Sequence, residues 1–302
     1  MPGPRIIIVG DEPSLGERGA ELVCSVLERA IAERGRAHLA LTGGGTAIIL
    51  YRALGGAAFR DRVDWRRVDL WWGDDRFVPF DHPESNVNLV RDTLLAMPLT
   101  VAPVKRETVK RETVTAARLE AARTGGLPRE DVEPPEGIVI PAENVHPFPI
   151  PEAEAARQGP DWCAARYAEQ LTAALPLNDQ GLPIFDLVLL GVGPDGHFLS
   201  VFPGSPLVDA PAPPICAGVP APTHVTPHLP RVTCSPRLSE VARDVLVMVS
   251  GPAKAQVMRE VLAGPRDPHR YPSQLAARPG ATWMLDAAAA VALPDELRRP
   301  EG

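Results

Sequence analysis

Apolar residues along this chain fall into short β-branched runs that alternate with segments of helical spacing. Residues 5–9 (RIIIV) form the first such run and predict a strand. Residues 15–34 follow, with Leu22, Val23, Val26, Leu27 and Ile31 spaced to face one side of a surface helix. Strand patterns recur at 37–41, 68–72, 187–190, 231–233, 245–249 and 283–285, with a short one near 215–219. Helices are predicted at 47–54, from Ser85 as cap through Leu95, at 161–175, at 236–242, from Gly251-Pro252 onward, and after Asp286 as cap of an Ala-rich stretch. The run at 187–190 has no polar alternation, which is how a strand buried on both faces of a parallel sheet reads. Strand and helix alternating throughout predict a doubly wound α/β fold, a mostly parallel sheet flanked by helices, in one domain.

Three loops at the carboxyl ends of predicted strands carry chemistry, and that is where open α/β sheets bind ligands. After 187–190 come Gly191, Gly193, Pro194 and Gly196, enclosing Asp195 and His197. A carboxylate and an imidazole two residues apart in a tight loop suggest acid/base work. The run GVGPDG formally fits the dinucleotide pattern G-x-G-x-x-G, but Pro203 and Pro206 stop any long crossover helix, so no nicotinamide or flavin is expected. After 37–41, Thr42-Gly43-Gly44-Gly45-Thr46 turns into a helix whose first N–H groups can hold a phosphate. After 68–72, Gly73-Asp74-Asp75-Arg76 places three charges on what should be the same rim.

Composition narrows the rest. The 302 residues are 45% hydrophobic and carry a net charge of −7, so no nucleic-acid or membrane surface is expected. No apolar stretch reaches membrane-spanning length, and an acidic residue interrupts the apolar start, so no export signal is read. Four widely spaced cysteines (Cys24, Cys163, Cys216, Cys234) read as reduced, mostly buried thiols in a cytoplasmic protein, with no metal site. His224 and His228 are four apart, but Pro227 between them excludes a metal-binding helix face. Only three of the 31 basic residues are lysines: Lys105, Lys110 and Lys254. Lys254 sits in a predicted first helical turn, where the macrodipole disfavours a cation, and so points to an anionic partner. Between about 100 and 137 the character changes: KRETV occurs twice in tandem, with a helical tendency at 113–122, and the segment reads as a flexible insertion without chemistry.

Together the motifs resemble the 6-phosphogluconolactonase family, related to the glucosamine-6-phosphate isomerases and deaminases. LTGGGTAIILY is similar to the family's LSGGSTP-x-x-LY, and Asp74 to Pro79 with Ser85-Asn86 to its DER-x-VP…SN, with Asp75 where Glu is usual. G-x-G-x-DGH-x-AS-x-FPG fits Gly191 to Gly204, with Leu199 for Ala. Arg231-Val232-Thr233, Lys254, Pro272-Ser273 and Trp283 with Asp286 complete the series. The resemblance implies a Rossmann-like fold and hydrolysis of 6-phospho-D-glucono-1,5-lactone in the oxidative pentose phosphate pathway, with no cofactor. It implies His197 as general base with Asp195 beside it, and Asp74 and Arg76 at the lactone. It also implies a phosphate site of Thr42, Gly43, Gly44, Arg231 and Lys254. The expected partner is the sugar phosphate alone, acting on a monomer or weak homodimer.

The chemistry agrees. A lactone carbonyl is electrophilic enough to need only an activated water, and imidazole takes a proton near neutrality. Two rival readings remain: a deaminase or isomerase of the same fold, and a non-catalytic phosphosugar sensor. The deaminases resemble this chain up to the histidine but continue into F-N-E-P, where this chain has Leu199-Ser200-Val201-Phe202-Pro203 and no glutamate. A sensor would need the phosphate site but not Asp195 and His197.

Overall fold

The computed structural model describes residues 3–95, 137–209 and 214–298. The tandem KRETV and the helical tendency at 113–122 lie outside the described residues. Strand β1 (Arg5–Val9) leads into α1 (Glu12–Arg34), which starts where the Asp11 carboxylate accepts from Ser14 N and stops at Gly35. β2 (Ala37–Leu41) turns directly into α2 (Gly45–Gly55). β3 (Val68–Trp72) passes through Gly73 into a short β4 (Asp74–Arg76), and Ser85 caps α3 (Asn86–Thr93) through the N–H groups of Val87 and Asn88. β5 (Val145–His146), α4 (Ile150–Ala155) and α5 (Pro160–Ala174) lead to β6 (Leu187–Leu190). β7 (Cys216–Val219), β8 (Arg231–Cys234), α6 (Pro236–Val241), β9 (Asp244–Val249), α7 (Ala255–Ala263), β10 (Ala281–Asp286) and α8 (Ala287–Ala290) follow.

Seven strands make one sheet in the order β1-β10-β9-β6-β2-β3-β5, and every pairing is parallel. β3 and β6 are buried along their whole length, as an interior strand with helices on both faces must be. The core includes Trp71, Trp72 and Trp283, and Tyr51 and Tyr167 from the covering helices α2 and α5. Their hydroxyls are partnered, as buried ones should be. Thr42 N donates to Tyr51 Oη, which donates back to Thr42 O, so the helix pins the start of the glycine loop.

A second sheet was not anticipated from the pattern. β4 pairs with β8 and β8 with β7, all antiparallel. It stands Asp74 opposite Thr233 and Arg76 opposite Arg231. It also sets Cys216 opposite Cys234, the Cys216 thiol donating to Cys234 Sγ at 3.7 Å with no disulfide between them.

The amino-terminal rim of the large sheet holds an ionic network. The Asp69 carboxylate accepts from Arg36 Nε and Nη2 at 2.6 and 3.0 Å and lies 3.0 Å from His146 Nε2. Asp186 accepts from Arg34 Nε and from His38 N, and pairs with Arg243. Burial alone would raise the Asp69 carboxyl, but the bonds from His146 and Arg36 overcome it and hold the group at about 2.

Candidate active site

Because the four central strands β9, β6, β2 and β3 are neighbours and parallel, their carboxyl ends open on one rim. The loops leaving that rim carry Lys254, Asp195 with His197, Thr42 to Gly44, and Asp74 to Arg76. The sequence spreads these residues over more than two hundred positions, and strand order brings them together.

The loop after β6 is shaped around His197. A Cβ on Gly193 would lie 2.0 Å from His197 Nδ1, so only glycine lets the ring fold back over its own loop. His197 Nδ1 lies 2.5 Å from Asp195 Oδ1, which puts the ring proton on Nδ1 and leaves Nε2 as the basic nitrogen. Burial alone would raise the Asp195 carboxyl, but its hydrogen bonds and attraction to His197, with a further bond from His224, hold it well below the ordinary carboxylate range. The ring of Phe202 lies 4.7 Å from that of His197, and Arg231 sits over the same phenyl ring at 5.3 Å. Leu199, at φ 52, holds a left-handed conformation that a branched side chain rarely adopts, and its side chain presses on Gly73.

Arg231 is 3% exposed, and its Nε has no hydrogen-bond partner; the same is true of the buried Nε of Arg76, its neighbour across the β4–β8 pair. Burial and the nearby Arg76 charge both push the Arg231 guanidinium below its ordinary value. A desolvated guanidinium beside a second, partly buried one favours an anion. Arg76 Nη1 donates to the Glu84 carbonyl at 2.5 Å and lies 3.3 Å from its carboxylate.

Asp74 and Asp75 differ in role. Asp74 accepts from Ser200 Oγ at 2.7 Å, which ties the small sheet to the loop just past His197. Asp75 is fully buried and accepts from Arg76 N, Asn86 N and Ser85 Oγ, stitching β4 to the start of α3. Burial pushes its carboxyl up to about 7 against those donors. Its side chain thus holds structure and does not face the rim. Asn86, fixed by that stitch, packs so closely on Gly43 that a Cβ there would sit 2.0 Å from Asn86 Oδ1, and that oxygen is buried without a donor.

Lys254 ends a 3-10 turn (Pro252–Lys254) and stands at the cap of α7, just ahead of the first α turn. Its Nζ donates to Val192 O at 2.7 Å, in the His197 loop. Burial lowers its ammonium below the ordinary lysine value, while the Asp195 charge pulls the other way. The glycine loop is tied to the strand end before Lys254 by Thr46 Oγ1 and Ser250 Oγ, 3.2 Å apart. Among the described residues no hydrogen bond joins Arg231 to Lys254 or to the Thr42–Gly44 loop.

Sequence reasoning missed His224 at this site. Its Nε2 lies 2.9 Å from Asp195 Oδ2, so one carboxylate spans two imidazoles. It comes from the Pro-rich connection between β7 and β8, which has no periodicity to place it.

Comparison with known proteins agrees with this architecture. The family model for glucosamine-6-phosphate isomerases and 6-phosphogluconolactonase matches residues 10–133 and 129–284. The 6-phosphogluconolactonase of Streptomyces coelicolor is 30% identical over 305 aligned residues, spanning 98% of this chain and 97% of its own. That of Synechocystis is 30% identical across 94% of this chain and 95% of its own. Among solved structures, 6-phosphogluconolactonase from Trypanosoma brucei superposes with a TM-score of 0.71 at 25% identity, covering 96% of this chain and 99% of that one. A monomeric glucosamine-6-phosphate deaminase shares the fold at a TM-score of 0.66 and 16% identity, covering 95% and 99%. The chain belongs to the glucosamine-6-phosphate isomerase and 6-phosphogluconolactonase family.

Proposed function

We propose that this chain hydrolyses 6-phospho-D-glucono-1,5-lactone to 6-phosphogluconate, the lactone-opening step of the oxidative pentose phosphate pathway. The observation that carries the reading is the Asp195–His197 pair, with the base nitrogen free, and the buried Arg231 guanidinium that shares the Phe202 ring with His197. His197 Nε2 takes a proton from water as the water oxygen attacks C1. The carbonyl oxygen gains the negative charge, and Arg76 stabilises it. As the intermediate collapses, the bond from C1 to the ring oxygen breaks and His197 returns its proton to that oxygen. A positioned base of this kind contributes about 10²–10⁴-fold. The carbonyl is reactive enough that the scheme needs no metal.

The substrate phosphate anchors the other end through Lys254, Arg231 and the N–H groups of the Thr42–Gly44 loop. Asp74 supports the site through Ser200. We place the protein in the cytoplasm, as a monomer or weak homodimer with the sugar phosphate as its only partner. The four unpaired, buried thiols support that compartment. The segment of about 100–137 is taken as an insertion in a single lactonase domain.

The test sets fresh 6-phosphogluconolactone against glucosamine 6-phosphate, with wild type and His197→Ala. Wild type is expected to open the lactone and to leave the amino sugar untouched. His197→Ala is expected to lose at least a hundredfold in kcat while still binding 6-phosphogluconate. A loss under tenfold removes His197 from the role of base; turnover of the amino sugar instead would favour the deaminase reading.

A further inference from the structure

His224 reaches Asp195 from 29 residues away in sequence, and its contact is built from more than one side. Its Nε2 lies 2.9 Å from Asp195 Oδ2, while Oδ1 of the same carboxylate holds His197 Nδ1. The His224 ring meets the Phe202 ring edge-on at 5.7 Å, and Phe202 also lies against His197. Phe202 therefore backs both imidazoles, and Asp195 joins them in front. Among the described residues no group of three or more His, Cys, Asp or Glu side chains is placed to hold a metal ion.

An exposed histidine beside a carboxylate is often an incidental surface pair worth little. The His224 side chain is 48% exposed, but Asp195 is only 18% exposed, and its other oxygen is already committed to the base. The distinction matters because a carboxylate held at one oxygen turns about its last torsion, which is broad and soft. A donor on Oδ2 fixes the carboxylate plane. Oδ1 then stays in line with His197 Nδ1–H, and Nε2 stays aimed at the water.

We propose that His224 is a positioning residue: it locks the Asp195 carboxylate so that His197 keeps the tautomer and orientation of a base. The inference rests on the lactonase reading for its kinetic consequence, though not for the geometry itself.

The experiment compares wild type, His224→Ala and His224→Gln as full-length proteins. Gln is chosen because its side-chain N–H2 reaches about where His Nε2 does. With 6-phosphogluconolactone, His224→Ala is expected to lose about tenfold in kcat, the size of effect an outer partner of a working histidine has. KM and the melting temperature should change little, and His224→Gln should restore most of kcat. In proton NMR, the downfield signal of His197 Nδ1–H should broaden through solvent exchange in His224→Ala and persist in wild type and His224→Gln. Unchanged kcat and an unchanged signal in His224→Ala would overturn the proposal. So would a loss that Gln does not rescue and that tracks a fall in melting temperature. If wild type fails to open the lactone but the Nδ1–H signal follows this pattern, the positioning role stands and the lactonase reading falls.

Discussion

Lys254→Met separates the two ends of the substrate. In the structure the ammonium has one hydrogen-bond partner, the neutral carbonyl of Val192, and it is half-buried. A cation in that state gains when a dianionic phosphate arrives. Losing a charge-assisted contact costs about 1.5–3 kcal/mol, or about 10- to 150-fold in kcat/KM at 1.4 kcal/mol per tenfold. The Val192 tether adds a second, smaller cost, because Lys254 also steadies the loop that carries His197. That cost falls equally on any substrate. The assay therefore runs wild type and Lys254→Met on 6-phosphogluconolactone and on unphosphorylated glucono-δ-lactone, each above its spontaneous rate. The loss on the second measures the tether, and the ratio of the two losses measures the grip on phosphate. A ratio of at least ten is expected. Equal losses on both substrates would show that Lys254 acts only through the loop or at the carbonyl, and the phosphate would then fall to Arg231, Arg76 and the glycine loop.

Asp69→Asn is expected to lower stability by about 1–2 kcal/mol at pH 7, allowing for the solvent that reaches Arg36, with kcat unchanged at 25 °C. The Asp69 carboxyl is held down at about 2, below its unfolded value, so the stability it adds is present above about pH 4 and lost as pH falls toward 2. Melting curves of wild type and variant should thus converge over that window; a gap that persists below pH 2 would contradict the ionic account. Deleting residues 104–133 behind a short Gly/Ser linker should leave soluble, active protein. The flanking chain is already closed by Ile138 N donating to Leu94 O at 2.8 Å, and loop shortening changes the closure entropy by only about 1 kcal/mol. Loss of activity in the deletion would mean that the segment takes part in the site.

Much of this was legible in the sequence because it is local. The unbroken apolar run at 187–190 is buried at every position, and the glycine-framed loop after it does hold an imidazole against a carboxylate. The scarcity of lysine singled out Lys254, and the structure sets it on the same rim. What was not legible depends on partners far away in sequence. Asp74-Asp75-Arg76 reads as a charged turn, yet it forms a strand, because β8 supplies its ladder and the start of α3 supplies the donors that let Asp75 be buried. The short α4 hides among Pro149 and Pro151, and β5 is only two residues long. His224 lies in a Pro-rich stretch, where neither period 2 nor period 3.6 says which way a side chain points. Asp69, in the run VDLWW, gave no sign of the arginine and histidine that would surround it.

The network around Asp69 and Asp186 sits at the opposite rim from the loops that carry His197 and Lys254, with the length of the strands between. In a parallel sheet every strand starts at one rim and ends at the other, so the two rims never exchange residues as the chain diverges. Substitutions at the starting rim are expected to change how long the molecule survives heat or acid, and those at the finishing rim how fast it turns over. A screen for hardier variants and a screen for faster ones would therefore draw on separate sets of positions. Gains from the two should add when combined, because among the described residues no side-chain hydrogen bond or ion pair joins the Asp69 and Asp186 network to the Asp195–His197 loop.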